Sequence, residues 1–297
     1  LEPFWLKCFR AQPTLRRALL PVFNRSLLRV FSSIMPSDPI IVGYHKIRGL
    51  GAPLRMICYY KGEKFINAGY GADMKEKWFG EVKPTLAKKN SCINLPYIVD
   101  GDDVITQSNT CALYLGRKLG TDTDANFAKN HTVLDQTMDL RNDLMKVVYS
   151  FSGVVKTKEE FPEGAKQHIA GTTTANFTKL EGFCVGPYMC GAKPESGDFM
   201  LFEMLDQHSS ICKSIGEPDI LDSFPKLKAL HAAMKAEPTL ASYFASDCYV
   251  KWAQNNGLFT HFTGQGADFE YGPSVEELFG IYVPVRHWEF LVLQFLI

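Results

Sequence analysis

Four short clusters of residues carry the chemistry that this sequence of 297 residues can be expected to perform. In the first, Tyr44 and His45 come at the end of a β-rich run, where a tyrosine hydroxyl meets the junction of a strand and a helix. A phenol can donate a hydrogen bond to an anion, and a hydrogen bond to a charged group contributes about 1.5–3 kcal/mol. Taken alone, Tyr44 is more simply explained as a core tyrosine.

The second and third clusters could hold the backbone and the carboxylate of a small ligand. In Asn94-Leu95-Pro96-Tyr97, a cis Leu95–Pro96 bond would fix the Leu95 N–H and C=O so that they point outward. Gln107-Ser108-Asn109 falls at a predicted helix N-terminus, where free N–H groups and the helix dipole favour a carboxylate. A loop proline and a simple helix cap are the plainer explanations of the two clusters.

The fourth cluster is the run Gln136-Thr137-Met138-Asp139, which we place with Tyr149 on one long helix. Ten residues of helix rotate by about 1000°, some 80° short of three turns, and rise about 15 Å. Asp139 and Tyr149 should therefore lie on different sides and at different heights of the helix. By themselves they could equally be a solvated charge and a core aromatic residue.

The elements that must position these residues follow from the pattern up to Gly120. We predict strands over 40–44, 65–70, 97–100 and 104–106, helices from about Pro53 to Gly62 and from Ser108 to Leu119, and an irregular segment over 72–94. Pro53 suits the first turn of its helix, since no N–H is needed there. A hairpin turn is expected at Gly101. The order β-α-β, a long loop and then β-β-α is that of a thioredoxin-like unit.

After Gly120 the pattern becomes helical. A long helical period runs from Asp122 through Val148, and we predict further helical segments near 162–182, 198–215, 224–236 and 238–246. The predicted fold class is therefore α+β, with an N-terminal thioredoxin-like domain over 38–120 followed by an all-α domain over 121–260. Residues 261–297 are assigned to a C-terminal extension.

Composition excludes several classes of function. The net charge is +0, from 32 Lys+Arg against 32 Asp+Glu, which argues against a general binder of nucleic acid. No uncharged apolar run is long enough to predict a membrane span. The eight cysteines contain no CxxC pair, and we expect free thiols in a reducing compartment. No HExxH or HxxxH spacing occurs among the seven histidines, so we expect no zinc site. No other sequence feature indicates a metal or an organic cofactor.

The two ends of the chain allow more than one interpretation. Residues 1–37 have six basic residues and one acidic residue, and a run from Arg29 to Ser32 resembles a mitochondrial processing site. Residues 1–34 could instead be upstream sequence read in frame, because the chain begins with Leu and Met35 lies just before the first strand. We expect a cytoplasmic protein, or a mitochondrial one if residues 1–34 are a genuine presequence.

Together, the four clusters and their order resemble the cytosolic glutathione S-transferases, and the mu class most closely. The resemblance covers residues 39–255 and includes later stretches at 205–208 and 221–228. The residues that carry it are Gly43-Tyr44, Ile47-Arg48-Gly49-Leu50, Lys75 to Trp78, Asn94-Leu95-Pro96-Tyr97, Asp100-Gly101, Ile105-Thr106-Gln107-Ser108-Asn109 and Gln136-Thr137-Met138-Asp139.

The resemblance implies that Tyr44 is the catalytic residue and donates its hydroxyl to the glutathione sulfur. Lowering a thiol pKa from about 8.5 to about 6.5–7 takes roughly 2–3 kcal/mol, which one hydrogen bond to an anion nearly supplies. Leu95 would pair with the cysteinyl backbone, and Gln107 and Ser108 would hold the γ-glutamyl carboxylate. Asn94 and Pro96 belong to the same binding segment in the family.

The resemblance also assigns the two ends of the ligand site. Trp78 and a lysine, with Lys83 the best candidate, would hold the glycyl end, beside His45, which replaces a tryptophan of the mu class. Lys75 falls where that class usually has an arginine. Asp139 would reach across a dimer interface to the neighbouring site. Leu50 and Tyr149 would face the electrophile, in a pocket that also includes Phe151 and the 244–262 region.

The function predicted on this basis is conjugation of the glutathione thiolate to a hydrophobic electrophile by a homodimer, with glutathione as co-substrate. Two alternatives stay open: a glutathione-dependent isomerase of the sigma, prostaglandin-synthase type, and a binding protein that keeps the fold without turnover. The apolar residues 274–297, which have no counterpart in the family, could cover the electrophile pocket, bind a membrane surface or be non-native read-through.

Overall fold

A four-stranded mixed sheet begins the folded chain. The structure, a computed structural model, describes residues 38–152 and 154–264, so our predictions for residues 1–37 and for those beyond 264 lie outside it. The strands are β1 (Ile40–His45), β2 (Phe65–Tyr70), β3 (Tyr97–Asp100) and β4 (Asp103–Thr106). Their spatial order is β2-β1-β3-β4, with β1 and β2 parallel and the other neighbours antiparallel. All four strands were predicted.

Two helices, α1 (Ala52–Tyr60) and the helix that follows β4, cover one face of this sheet. Helix α1 has a proline in its first turn and buries Leu54, Ile57 and Cys58 completely. A short helix, α2 (Lys83–Ala87), lies farther along the chain, and α3 (Ser108–Leu119) follows β4 directly. Gly120 ends α3 in the left-handed conformation, with φ at +72°, which glycine adopts without steric cost. The predicted β-α-β, β-β-α order is confirmed.

The prediction of an irregular segment over 72–94 is wrong. A π-helical stretch, Lys75–Val82, runs without a break into α2. Trp78 is its one buried residue, and it stacks on Tyr97 with ring centroids 5.5 Å apart. Phe79 and Val82 are only partly buried against the same cluster, so one fully buried residue in eight leaves no clear apolar period to recognise.

The rest of the described chain is helical, as predicted. Its helices are α4 (Phe127–Val148), α5 (Phe161–His168), α6 (Thr174–Phe183), α7 (Ser196–Ser214), α8 (Pro225–Ala236), α9 (Ala241–Phe244) and α10 (Asp247–Val250). The central helix is α7, in which every residue from Ser196 to His208 is buried. Its apolar side chains share one core with those of β1, α1 and α3. None of the helices in the described ranges is long and apolar enough to cross a membrane.

Two of our boundary predictions need comment. Tyr149 does not lie on α4, because the helix ends at Val148 and Tyr149 is already extended, with φ −111° and ψ 132°. Ser108 is the first residue of α3 rather than its cap, which is Gln107. The described residues from Pro39 onward fall in one compact unit, so a domain boundary near Gly120 stays a prediction.

Two buried histidines make stability depend on pH. The Nε2 atoms of His168 and His208 lie 3.3 Å apart, and Nδ1 of His208 donates to the Met204 carbonyl. Burial lowers the pKa of His168 to about 4 and that of His208 to about 3. An unfolded chain protonates both near pH 6.5. It therefore binds more protons than the native state below that pH, and stability falls as the pH drops toward 4.

We expect the free energy of unfolding to decrease between pH 6.5 and 5 by up to about 1.4 kcal/mol per pH unit for each of these histidines. Urea unfolding at a series of pH values, compared between the wild type and the double variant His168→Gln, His208→Gln, isolates their contribution. The double variant should show the flatter pH dependence. Equal slopes for both proteins would contradict this assignment.

Candidate active site

One end of the sheet gathers the residues of the first three clusters. In the strand register Gly43 lies opposite Tyr97, and Tyr97 lies opposite Thr106. Tyr44 at the end of β1, Pro96 before β3 and Gln107 after β4 therefore come to the same edge. Residues far apart in sequence meet there because antiparallel neighbours place the start of one strand beside the end of the next.

The Thr106 side chain joins two parts of this edge. Its hydroxyl lies 2.9 Å from the Asn94 carbonyl and 3.1 Å from the Pro96 carbonyl, and it accepts from the Asn94 N–H at 3.2 Å. The Leu95–Pro96 bond is cis, as the predicted backbone arrangement required. Thr106 thus fixes the segment before β3 directly beside the residue that starts α3.

Gln107 has an unusual backbone conformation. With φ at +73° and ψ at 128°, it is the one non-glycine residue of the described chain with a positive φ. Such a conformation costs on the order of 1–3 kcal/mol and persists where the surroundings impose it. Its side chain is exposed, while Ser108 is buried, with 8 % exposure, at the N-terminus of α3. The arrangement presents an amide, a hydroxyl and helix N–H groups to one point at the sheet edge.

Tyr44 is buried, with 6 % exposure, and its ring rests on the turn Gly49–Gly51 that leads into α1. A Cβ on Gly51 would lie 2.7 Å from a ring carbon of Tyr44, so a larger residue there would displace the ring. No residue in the described ranges forms a hydrogen bond with the Tyr44 hydroxyl, which nevertheless keeps contact with solvent. The hydroxyl can therefore donate to a ligand at this edge.

The segment after α10 lies against the far side of the Tyr44 turn. The backbone N–H groups of Arg48 and Gly49 donate to the carbonyls of Ala253 and Gln254. The Asn256 N–H donates to the Tyr149 hydroxyl at 2.9 Å, and Tyr149 stacks on Phe151 at 5.1 Å. The region 244–262, which the family resemblance led us to expect near the electrophile pocket, thus contacts both the Tyr44 turn and Tyr149.

The two residues predicted to face an electrophile both lie near Tyr44. Leu50 is half-buried in the Gly49–Gly51 turn, and Tyr149 is buried. Burial raises the pKa of Tyr149, and the nearby Tyr44 adds to this shift. Tyr149 therefore stays a neutral phenol throughout the working range of pH.

The residues predicted for the glycyl end occupy different environments. Trp78 is packed almost completely, with 1 % exposure, and the Lys83 ammonium lies 6.0 Å from its ring and 5.6 Å from that of Phe79. Lys75 is exposed at the start of the π-helical stretch. Both lysines leave their ammonium groups near solvent on the side of the sheet that carries Trp78.

The last two predicted site residues, His45 and Asp139, have different surroundings. The His45 imidazole packs edge-on against Tyr44 at 5.1 Å, and burial lowers its pKa to about 4, with the nearby Arg55 adding to the effect. His45 is thus neutral at pH 7 and can donate only through one nitrogen. Asp139 is exposed on α4.

A buried ion cluster behind the Tyr44 turn was also not predicted. Arg48 is fully buried, and its guanidinium donates to Glu203 at 2.8 Å and to Asp206 at 2.6 Å, both on α7. Arg48 holds the pKa of Asp206 well below its usual range, together with His231 and Lys235. The cluster fastens the turn under Tyr44 to the central helix of the protein.

Comparisons with known proteins identify relatives of this chain. The family model "Glutathione S-transferase, C-terminal domain" matches residues 138–247. The class-mu 26 kDa isozyme 51 of Fasciola hepatica is 32% identical over 235 residues, which is 77% of this chain and 99% of that relative. Glutathione S-transferase Mu 1 of Oryctolagus cuniculus is 31% identical over 220 residues, 72% of this chain and 94% of its own.

A solved structure shares the fold. The Pi-class glutathione S-transferase of Onchocerca volvulus superposes with a TM-score of 0.59, covering 73% of this chain and 98% of its own, at 23% sequence identity. The four-stranded sheet followed by helices is therefore an arrangement that known proteins also adopt.

Proposed function

Because this chain belongs to the glutathione S-transferase family, which confirms the resemblance predicted from its sequence, we propose that it conjugates the thiolate of glutathione to hydrophobic electrophiles at the sheet edge around Tyr44. The observation that carries the proposal is the Tyr44 hydroxyl, which has solvent contact and no hydrogen-bond partner in the described chain. It lies where Pro96 and Ser108 also meet. Detoxification of electrophilic compounds is the proposed physiological role.

In the proposed mechanism, Tyr44 lowers the pKa of the bound thiol by donating a hydrogen bond to sulfur. The thiol proton passes to solvent. The thiolate then attacks the electrophile to form a carbon–sulfur bond, and with an aromatic halide the carbon–halogen bond breaks and halide leaves. A hydrogen bond to an anion contributes about 1.5–3 kcal/mol, or one to two pKa units. No histidine base is needed, and His45 beside Tyr44, with its pKa lowered to about 4, would be a weak one.

The tripeptide is assigned along the sheet edge from α3 to the π-helical stretch. Gln107 and Ser108 hold the γ-glutamyl carboxylate at the N-terminus of α3, and the Leu95 backbone pairs with the cysteinyl unit. The glycyl carboxylate lies toward Lys83 and Lys75, beside Trp78, with His45 near it; Asn94 supports the segment. The geometry supports this order because Thr106 joins the Asn94–Pro96 segment to the start of α3.

The electrophile is proposed to bind between Leu50 and Tyr149, with the segment after α10 as one wall. We also propose a homodimer in which Asp139 reaches the γ-glutamyl ammonium of the neighbouring site. Its exposure on α4 is compatible with that role. Sedimentation in the presence and absence of glutathione tests the dimer directly.

The test of the function is a conjugation assay with glutathione and an aromatic halide electrophile, combined with binding to immobilised glutathione. Enzymatic thioether formation above the uncatalysed rate supports the proposal. Retention on the resin without turnover would leave a binding protein, and a failure to bind glutathione would end the proposal.

Gln107 offers a prediction that separates stability from binding. In Gln107→Gly, relief of about 1–3 kcal/mol of backbone strain is partly offset by about 0.5–1 kcal/mol of glycine entropy, so stability should be equal or slightly higher. The KM for glutathione should rise about 10–100-fold, because one hydrogen bond to the carboxylate is lost. Thermal unfolding and glutathione saturation curves measure the two effects.

The matched control is Gln107→Ala, which keeps the strained backbone but also lacks the amide. It should show the same loss of glutathione affinity without any gain in stability. If both variants bound glutathione as tightly as the wild type, Gln107 would have no place in the ligand site.

A further inference from the structure

Arg55 on α1 is a buried cation that pairs with no carboxylate of residues 38–152 or 154–264. Its side chain is 0 % exposed, and its donors all meet neutral acceptors: Asn67 Oδ1 at 2.9 Å, the Ile47 carbonyl at 2.9 Å and the His45 carbonyl at 3.2 Å. The Trp252 ring lies 4.6 Å from the guanidinium carbon. Within the described chain, Arg55 takes part in no ion pair.

Arg48, seven residues earlier, is the contrasting case. Glu203 and Asp206 both face its guanidinium, so two carboxylates balance that charge. The titratable groups that face Arg55 are Cys248, Tyr243, Tyr44 and the neutral His45, while Glu203 is already bound to Arg48. Burying a charge without a counter-ion lowers the free energy of unfolding. An arginine kept in this state therefore points to a functional role for its positive charge.

The Arg55 guanidinium lies beside the Gly49–Gly51 turn and the Tyr44 ring. A Cβ on Gly51 would lie 2.8 Å from one Arg55 nitrogen and 2.7 Å from a ring carbon of Tyr44, so the two groups are neighbours across Gly51. The same guanidinium holds the carbonyls of His45 and Ile47, on either side of Lys46 at the end of β1.

We propose that Arg55 is a positioning residue whose fixed positive charge, acting through Tyr44, stabilises the thiolate of bound glutathione. The charge makes the Tyr44 hydroxyl a stronger donor and maintains a positive potential at the sulfur. This inference rests on the proposed function of Tyr44, and it adds an electrostatic contribution from a group that does not touch the ligand.

The size of the effect follows from distance. A sulfur bound to the Tyr44 hydroxyl would lie on the order of 8–10 Å from Arg55, given the length of the phenol and of one hydrogen bond. For an effective dielectric constant of about 20–40, one charge at that distance shifts a pKa by about 0.5–1.5 units.

The experiment titrates the thiol of glutathione in complex with each variant, using the ultraviolet absorbance of the thiolate. Arg55→Gln should raise the thiol pKa by about 0.5–1.5 units. Arg55→Lys keeps the charge but lacks the planar fork, so its thiol pKa should stay close to that of the wild type although the protein is less stable. Arg117→Gln, at an exposed ion pair on α3, is the control with the same change of charge.

A second variant covers the case in which Arg55→Gln does not fold. Asn67→Asp keeps the shape of the acceptor 2.9 Å from Arg55 Nε but places a carboxylate there, which neutralises the cation. Its bound thiol should titrate higher by a similar amount, about 0.5–1.5 units.

Three results decide the matter. A raised thiol pKa in Arg55→Gln or Asn67→Asp, with Arg55→Lys unchanged, supports the proposal. The proposal is overturned if the thiol pKa is lowered in the wild type and neither Arg55→Gln nor Asn67→Asp changes it. It is also overturned if Arg55→Lys and Arg55→Gln raise the thiol pKa equally, because that result would indicate that the shape of the side chain matters and its charge does not. A wild-type complex that titrates like free glutathione contradicts the assigned role of Tyr44 itself, which is a separate failure.

Discussion

Replacing Glu203 with alanine is expected to lower the free energy of unfolding by about 3–5 kcal/mol. The substitution removes the carboxylate that lies 2.8 Å from Arg48 in a site where the two side chains are 1 % and 0 % exposed. Arg48 would keep only Asp206 as a charged partner, and part of a buried guanidinium would be left without one. Urea unfolding of the full chain at pH 7 measures the loss.

The matched control is Asp247→Ala, which breaks the exposed pair of Asp247 and Lys251 at 3.0 Å. Exposed pairs of this kind contribute about 0–1 kcal/mol, so the control should unfold almost as the wild type does. If Glu203→Ala cost no more than the control, the Arg48 cluster would not be what fastens the Tyr44 turn to α7.

Tyr44→Phe is the substitution expected to affect chemistry most. Loss of one hydrogen bond to the thiolate should raise the pKa of bound glutathione by at least about one unit. Near pH 6.5 the thiolate fraction, and with it kcat/KM, should then fall about 10–100-fold. The deficit should shrink as the pH rises past the pKa of the free thiol, near 8.5, because both enzymes then hold the thiolate.

A pH profile of kcat/KM with a single aromatic electrophile measures this change. The KM for glutathione should stay nearly unchanged, because the contacts assigned to the peptide backbone and its two carboxylates are kept. Tyr59→Phe on α1, whose half-buried ring packs against Phe65, is the control for removal of a phenolic hydroxyl elsewhere. A profile for Tyr44→Phe that is lower by the same factor at every pH would argue against a role in thiol ionisation.

Most of the fold could be predicted from the sequence because its signals are local. The β-rich run over 65–70 and the Gly101 hairpin each carry their own pattern, and both strands and turn form where predicted. The helix over 75–87 could not be predicted, because Trp78 is the one buried residue of its first part. The end of α4 was misplaced by one residue at Tyr149, where contacts with Asn256 and Thr260 replace helical bonding.

The candidate site was predictable only where strand ends determine it. Tyr44, Pro96 and Gln107 adjoin strands whose pairing brings them together, so their order in the chain was informative. The hydrogen bonds from Arg48 to Glu203 and Asp206 join residues that are 155 and 158 positions apart in sequence, and no local sequence pattern predicts contacts between residues so far apart. The same holds for the Arg55 cation, whose surroundings come from β1, β2 and the segment after α10.

Titration of the thiol of glutathione bound to the wild-type protein is the measurement that tests the account most directly. We predict a pKa of about 6.5–7, compared with about 8.5 for an unperturbed thiol, and a return toward the latter value in Tyr44→Phe. A bound thiol that ionises at the same pH as free glutathione, or one that ionises at the same low pH with and without the Tyr44 hydroxyl, would contradict it.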